Sequence, residues 1–312
     1  MRKRARLPES AVLAAVAGVL VLALALPAHA AFPGRNGRIA FTVEPRERGE
    51  TISSTIETIL PSGRGRRALG TCPSGDCLHF FPAWSPSGRR LAFGARNIGP
   101  MFAVVRANGT GLREVPHLVG SYPTPARAPS GRRLLFPGED GLFTARTDGT
   151  RVRRVTSKRS SFDSAWSQTG IIAFANDDDA FNAPFVDDGL YTVRPDGTRL
   201  RRLVRDRFNA SSPAMPDWSP HGSKIAFGYA LTDEYQVHVA DAATGAHRAL
   251  TTHGGAEPAC SPDGRFIAFI RDGDLYVMRS NGRGTRRILD GGQTESGQEI
   301  HLGSPSWQPL PR

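Results

Sequence analysis

One segment returns along the chain, and its return constrains the fold more than any other feature. Aligned on a closing phenylalanine, it reads PAWSPSGRRLAF ending at Phe93, PARAPSGRRLLF at Phe136, SAWSQTGIIAF at Phe174, PDWSPHGSKIAF at Phe227 and PACSPDGRFIAF at Phe269. A shortened PGRNGRIAF ends at Phe41, and successive copies fall 52, 43, 38, 53 and 42 residues apart. Periods of about 40–50 residues belong to propeller blades, with the longer intervals read as loop insertions. Solenoids of similar period are helical, and no run beyond the first thirty residues shows helical periodicity.

Each copy reads as a hairpin. Residues up to the tryptophan form a short strand, and Ser-Pro-x-Gly is a tight turn in which proline fixes one φ and glycine accepts a positive one. The Ile/Leu-Ala-Phe end is the returning strand. A second pair of strands follows at variable distance, as in LFTARTDGTRVRRVT and LYTVRPDGTRLRRLV, where an apolar strand precedes an Asp-Gly turn. Four strands per repeat, repeated radially, predict an all-β six-bladed propeller with four-stranded antiparallel blades.

Trp84, Trp166, Trp218 and Trp307 share one position in the repeat, where a large ring would wedge between adjacent blades; Arg127 and Cys260 hold it in the other two copies. Cys260 is therefore expected to be a small buried residue rather than a nucleophile. The last copy, PSWQPLPR, stops before its phenylalanine, whereas PGRNGRIAF supplies a second strand near residue 33. The N- and C-terminal strands are thus expected to share one blade, with PSWQP innermost and the rest from GRIAF, the ETISSTIETIL region and the GRGRRAL strand. Residues 31 and 32 are expected to contribute little.

The chain begins with the basic MRKRARLPES, an apolar run from Ala11 to Leu26, and the small-residue triplet Ala28-His29-Ala30. That order predicts a signal peptide over 1–30 and an exported protein, periplasmic or extracellular, with a single propeller domain over 31–312. An uncleaved anchor is the alternative, although the run is shorter than the ~20 apolar residues that span a bilayer. No membrane span is expected after cleavage.

The formal charge of +11 falls to +8 without residues 1–30, which hold four bases and one acid. The excess is arginine scattered along the chain, without a basic block or stacking aromatics, so a nucleic-acid partner is not expected. Cys72 and Cys77, in TCPSGDC, are expected to close a small disulfide loop worth roughly 2 kcal/mol. Zinc would need further ligands than His79 nearby.

The Trp-Ser-Pro-x-Gly-x-x-Ile-Ala-Phe signature, best kept in PDWSPHGSKIAF and PACSPDGRFIAF, resembles the repeats of the TolB-like six-bladed propeller family, also called WD40-like. The resemblance covers essentially the whole chain after residue 30. It implies a scaffold for partners of the cell envelope; similar repeats also form the propeller that covers the hydrolase domain of prolyl oligopeptidases. The chain departs from both patterns. The α/β domain that precedes the propeller in the TolB family is not expected here, and no length remains for a hydrolase domain.

No Gly-x-Ser-x-Gly, His-Glu-x-x-His or phosphate-binding glycine loop occurs. The segments just before each wedge position should end at the channel mouth, which makes His79, Tyr122, Asp163, Glu257 and His301 the binding candidates; the alternative is that they are polar because the mouth is wet. In NDDDAFNAPFVDDG, Asp177, Asp179 and Asp187 are metal candidates for calcium, against a solvated or partner-facing loop, because three consecutive aspartates cannot all turn inward. No other cofactor is expected. Arg66-Arg67, Arg153-Arg154, Arg201-Arg202 and Arg286-Arg287 should line outer blade edges, where charge discourages edge pairing.

The expected function is a non-enzymatic, monomeric scaffold that binds a protein or peptide partner at the channel mouth or blade loops. The alternatives are a propeller enzyme or binder acting on a saccharide or other small polar ligand at the channel, and a binder of anionic wall polymers through the arginine rim.

Overall fold

The computed structural model of the protein describes residues 32–47, 50–51, 53–70, 78–96, 100–116, 118, 124–138, 140–157, 164–176, 188–205, 213–230 and 234–312. The proposed signal segment, Cys72, Cys77, Tyr122, Asp163, Asp177, Asp179 and Asp187 lie outside the described residues.

Among the described residues there is no helix, and the strands form six antiparallel sheets, each four strands deep from the centre outward. Blade 1 is built from both ends of the chain: Glu299–Leu310 is innermost, followed by Arg35–Glu47, Thr55–Ile59 and Arg67–Gly70, with the short Glu50–Thr51 folded onto the far end of Arg35–Glu47. Blades 2 to 6 run in order, with inner strands Leu78–Trp84, Ala126–Arg127, Ser164–Trp166, Ala214–Trp218 and Ala256–Cys260.

The closure of blade 1 has the expected order and a longer clasp. The inner strand runs twelve residues rather than the five of PSWQP, pairing from Arg35 with Leu310, through Ile39 with Trp307, to Arg46 with Glu299. Gly88, in the blade 2 turn, packs on this clasp. It has φ 63°, an added Cβ would lie 2.0 Å from the Pro309 carbonyl oxygen, and its own carbonyl accepts Gln308 Nε2 at 2.8 Å.

The repeat's polar residues close its turns. In blade 2, Gly88 N–H donates to the Ser85 carbonyl at 2.8 Å, while Ser85 Oγ accepts Arg90 N–H at 3.1 Å; Ser219 with Lys224 and Ser261 with Phe266 repeat the hydroxyl contact. In the outer hairpins Asp148 Oδ1 accepts both the N–H and the hydroxyl of Thr150, as Asp196 does from Thr198, which is why Asp-Gly-Thr recurs. Both sets of tight turns fall on one face of the disc. The connections from second to third strand, such as Arg271 to Asp274, and from each blade to the next, such as Leu289 to Glu299, lie on the other.

The apolar residues fill the seams between blades. Trp218 lies 2 % exposed and reaches back to the preceding blade, where its Nε1 donates to the Ala165 carbonyl at 3.2 Å. Trp84, Trp166 and Trp307 occupy equivalent seams, packing on residues of the preceding blade such as Ile56, Ala126 and Ala259. Cys260 repeats the arrangement in miniature: its Sγ lies 3.9 Å from the Asp217 carbonyl, the position in blade 5 that Ala165 holds in blade 4. Burial pushes its thiol pKa well above the usual value.

The arginine pairs do sit on outer strands. Arg66 pairs with Glu57, Arg154 with Asp140 at 2.9 Å and Arg287 with Asp274 at 2.8 Å. Exposed pairs of this kind contribute little stability, typically about 0–1 kcal/mol.

Candidate functional site

The inner strands carry a pattern finer than the repeat itself. Phe81-Pro82, Met215-Pro216, Glu257-Pro258 and Ser304-Pro305 each precede a wedge position by three residues, and each forms a β-bulge in which two residues face a single phenylalanine of the next strand. Those phenylalanines, Phe93, Phe227, Phe269 and Phe41, are the ones that end the repeated segment, and all are buried. The first bulge residue has φ between 49° and 53° in every case, a left-handed conformation that costs roughly 1–3 kcal/mol for a non-glycine residue.

Two consequences follow for the channel. Proline removes one N–H from the channel-facing edge of each inner strand, which protects an otherwise open edge from pairing. The bulge also turns its first side chain into the channel. Phe81, Met215, Glu257 and Ser304, all partly exposed, therefore ring a central cavity of ≈ 180 Å³ whose walls are the prolines, alanines and wedge residues of the six inner strands.

Two carboxylates in that lining do structural and electrostatic work together. Asp217 stands where the other copies have alanine or serine, and its Oδ2 accepts the Cys260 N–H at 2.7 Å from the next inner strand. Glu257 Oε2 accepts the Ser304 N–H in the same way, from blade 6 to blade 1. Burial raises the Asp217 carboxyl to about 7, against the hydrogen bonds that favour its ion. Burial likewise raises Glu257 to about 6, and the nearby Glu44 carboxylate pushes in the same direction, while the Ser304 bond and Arg46 oppose it. Glu44 Oε1 and Glu257 Oε2 both lie 3.5 Å from where a Cβ on Gly303 would sit, so the absence of a side chain there leaves two acids facing one small space.

Phe32 also lines the cavity and is 8 % exposed. Two residues on, Gly34 N–H donates to the Pro262 carbonyl at 3.2 Å, in a turn of the tight-turn face, so Phe32 enters the channel from that side. The expectation that residues 31 and 32 contribute little is corrected for Phe32, whose ring is buried against the inner strands.

Of the sequence candidates, Glu257 lines the cavity. His79 does not: it is 4 % exposed, its ring meets Phe93 edge-on at 5.1 Å between centroids, and burial lowers its pKa. His301 lies on the clasp strand, opposite Glu44 and 3.5 Å from Glu299, and is not among the lining residues. Among the described residues no group of three or more His, Cys, Asp or Glu is placed to hold a metal. Asp217, Phe81 and Met215 were missed. Their signals were the aspartate in PDW where other copies read PAW or PAC, and the residue before each inner-strand proline.

No protein-family model matches the chain, and no curated protein matches it in sequence. Solved structures do match in fold. TolB from Acinetobacter baumannii superposes with a TM-score of 0.69 at 21% identity, over 88% of this chain and 67% of that one. A putative TolB from Agrobacterium tumefaciens gives 0.60 at 16% identity, over 88% and 99%. A puromycin hydrolase gives 0.52 at 16% identity, over 86% of this chain and half of that one. The chain thus has the TolB-like six-bladed propeller fold, which is shared by proteins of different activity and assigns none by itself.

Proposed function

We propose that the protein is an exported, non-enzymatic scaffold whose channel mouth holds one anchoring residue of a protein or peptide partner. The observation that carries this reading is the cavity. At ≈ 180 Å³ it is smaller than the roughly 300–1,000 Å³ of sites that engulf a whole small ligand, yet it has room for a single side chain or a chain end. Its ring sets an aromatic and a thioether side chain, Phe81 and Met215, beside the acid Glu257, with Asp217 in the wall. Aromatic and methionine side chains are those enriched where partners dock.

The acids name the anchor's chemistry. Raised pKa values mean that neither carboxylate has enough positive charge nearby to offset its burial. A lysine, an arginine or a free amino terminus would supply it, favour both ions and displace protons into solvent. The anchor should therefore be basic, and binding should strengthen as pH rises through 6 to 7.

Two raised carboxylates in one cavity also favour a second reading, an enzyme or binder for a saccharide or other polar ligand, since perturbed acids collect at catalytic sites. Against it, each carboxylate already accepts a backbone N–H of the neighbouring blade, which is sufficient reason for its presence. Turnover of a saccharide that is abolished by Asp217→Asn and Glu257→Gln would establish the enzyme.

Site-specific photocrosslinking in the native envelope tests the proposal. A photoreactive residue at Phe81 or Met215 should yield a protein adduct that Glu257→Gln, which keeps an acceptor for the Ser304 N–H, abolishes without lowering the melting temperature. A probe at Asp148, on the tight-turn face, should not. Adducts from Asp148 alone would overturn the assignment.

A further inference from the structure

The seam between blades 2 and 3 differs from the other five, because its wedge residue is Arg127. A guanidinium cannot fill the space of an indole, and a pocket of ≈ 280 Å³ opens beside it on the tight-turn face. Arg89, Arg90 and Arg113 of blade 2 join Arg127 in its lining, with the hydroxyl residues Ser130 and Thr147 of blade 3. None of the lining residues is an acid.

Arg127 is 5 % exposed, and its Nε and Nη2 are buried without a partner. Its one side-chain hydrogen bond among the described residues, from Nη1 to the Gly131 carbonyl, is long at 3.5 Å. Burying a charged group unpaired costs several kcal/mol, and native structures rarely leave such donors unused. Burial, with Arg90 and Arg113 adding repulsion, lowers the guanidinium pKa to about 10, so it still carries its charge at neutral pH. Arg113 is held across the seam, its Nη2 donating to the Thr147 carbonyl at 3.2 Å. Nothing in the fold requires this concentration of charge. In four of the other five seams tryptophan fills the space, and in the fifth a cysteine does.

We propose that this seam is a binding site for a phosphate group, with Arg127 as its buried anchor and Arg89, Arg90 and Arg113 as its outer walls. Guanidinium forks match phosphate oxygens in pairs, and the serine and threonine hydroxyls can complete the shell. The pocket is open toward the tight-turn face, so the phosphate can belong to a small soluble ester or to a lipid head group presented on that side.

The test uses the purified protein with glycerol 3-phosphate followed by calorimetry, and with phosphatidylglycerol or phosphatidylcholine vesicles in a flotation assay. Arg127→Trp installs the residue of the other seams and should preserve folding while weakening phosphate binding at least tenfold. Arg113→Ser should weaken it too, which keeps the test decisive if the tryptophan variant folds poorly. Arg248→Ser, an equal charge loss on an exposed outer strand, should change nothing. Saturable binding of the soluble ester identifies a small ligand, and flotation only with phosphatidylglycerol, lost in the Arg127 variant, identifies a lipid. No binding in either arm, or equal loss from Arg248→Ser, would overturn the proposal.

Discussion

Replacing Trp218 and Trp307 in parallel separates what the wedge contributes by volume from what it contributes by its hydrogen bond. Both rings are buried in equivalent seams, but Trp218 Nε1 donates to the Ala165 carbonyl at 3.2 Å whereas Trp307 Nε1 is buried without a partner. Alanine at either position removes a ring from a packed seam and should cost about 3–5 kcal/mol. Phenylalanine retains most of the volume. At 307 it removes no bond, whereas at 218 it strands the Ala165 carbonyl, adding about 1–3 kcal/mol. For a domain of this size roughly 2 °C of melting temperature accompanies each kcal/mol. Trp218→Phe should therefore melt roughly 2–6 °C below Trp307→Phe, and either alanine variant roughly 6–10 °C below the parent. Thermal and urea unfolding followed by circular dichroism will read these differences. Equal losses for the two phenylalanine variants would refute the role given to the bond, and alanine losses under about 1 kcal/mol would refute the wedge.

Deleting residues 303–312 removes most of the clasp, exposing the Arg35–Glu47 edge, and should cause aggregation or early melting; a monomer with an unchanged melting temperature would contradict closure through blade 1. The two cavity acids hold protons more tightly when folded than when unfolded, so their contribution to stability is present near pH 4 and lost as pH rises through 6 to 7. Asp217→Asn and Glu257→Gln, which keep a carbonyl to accept the neighbouring N–H, should thus stabilise the protein at pH 8 and not at pH 4, as paired denaturation curves will show. Non-reducing peptide mapping should find Cys72 linked to Cys77 and Cys260 alkylated only after denaturation; rapid labelling of native Cys260 would contradict its buried place in the seam.

The fold was legible because its units repeat. A single PDWSPHGSKIAF is a weak sign, but five internal copies keep turn, wedge and buried phenylalanine in the same order at offsets that differ by one residue at most, and the truncated PSWQP could pair only with the orphan GRIAF. The site was less legible, for a geometric reason. A polar residue three to six positions before the wedge can point to either face of the inner strand, and the bulge at Phe81 consumes an extra residue and reverses the alternation. His79, upstream of it, consequently faces Phe93 inside the blade, while Phe81 faces the channel. Glu257 is polar and is also the first bulge residue of its strand, so it reaches the channel. Asp217 and Arg127 were visible as departures from the repeat, yet only the superposition of seams shows that one accepts the next blade's N–H and the other leaves a hole where an indole would be.

The most direct test of the channel-mouth assignment is a structure of the protein with its crosslinked partner. A lysine, arginine or amino-terminal nitrogen of the partner should sit in the cavity, about 3 Å from a carboxylate oxygen of Glu257 or Asp217, with neighbouring partner residues on Phe81 and Met215. A partner seated wholly on the outer strands or the tight-turn face, with the cavity unentered, would contradict it.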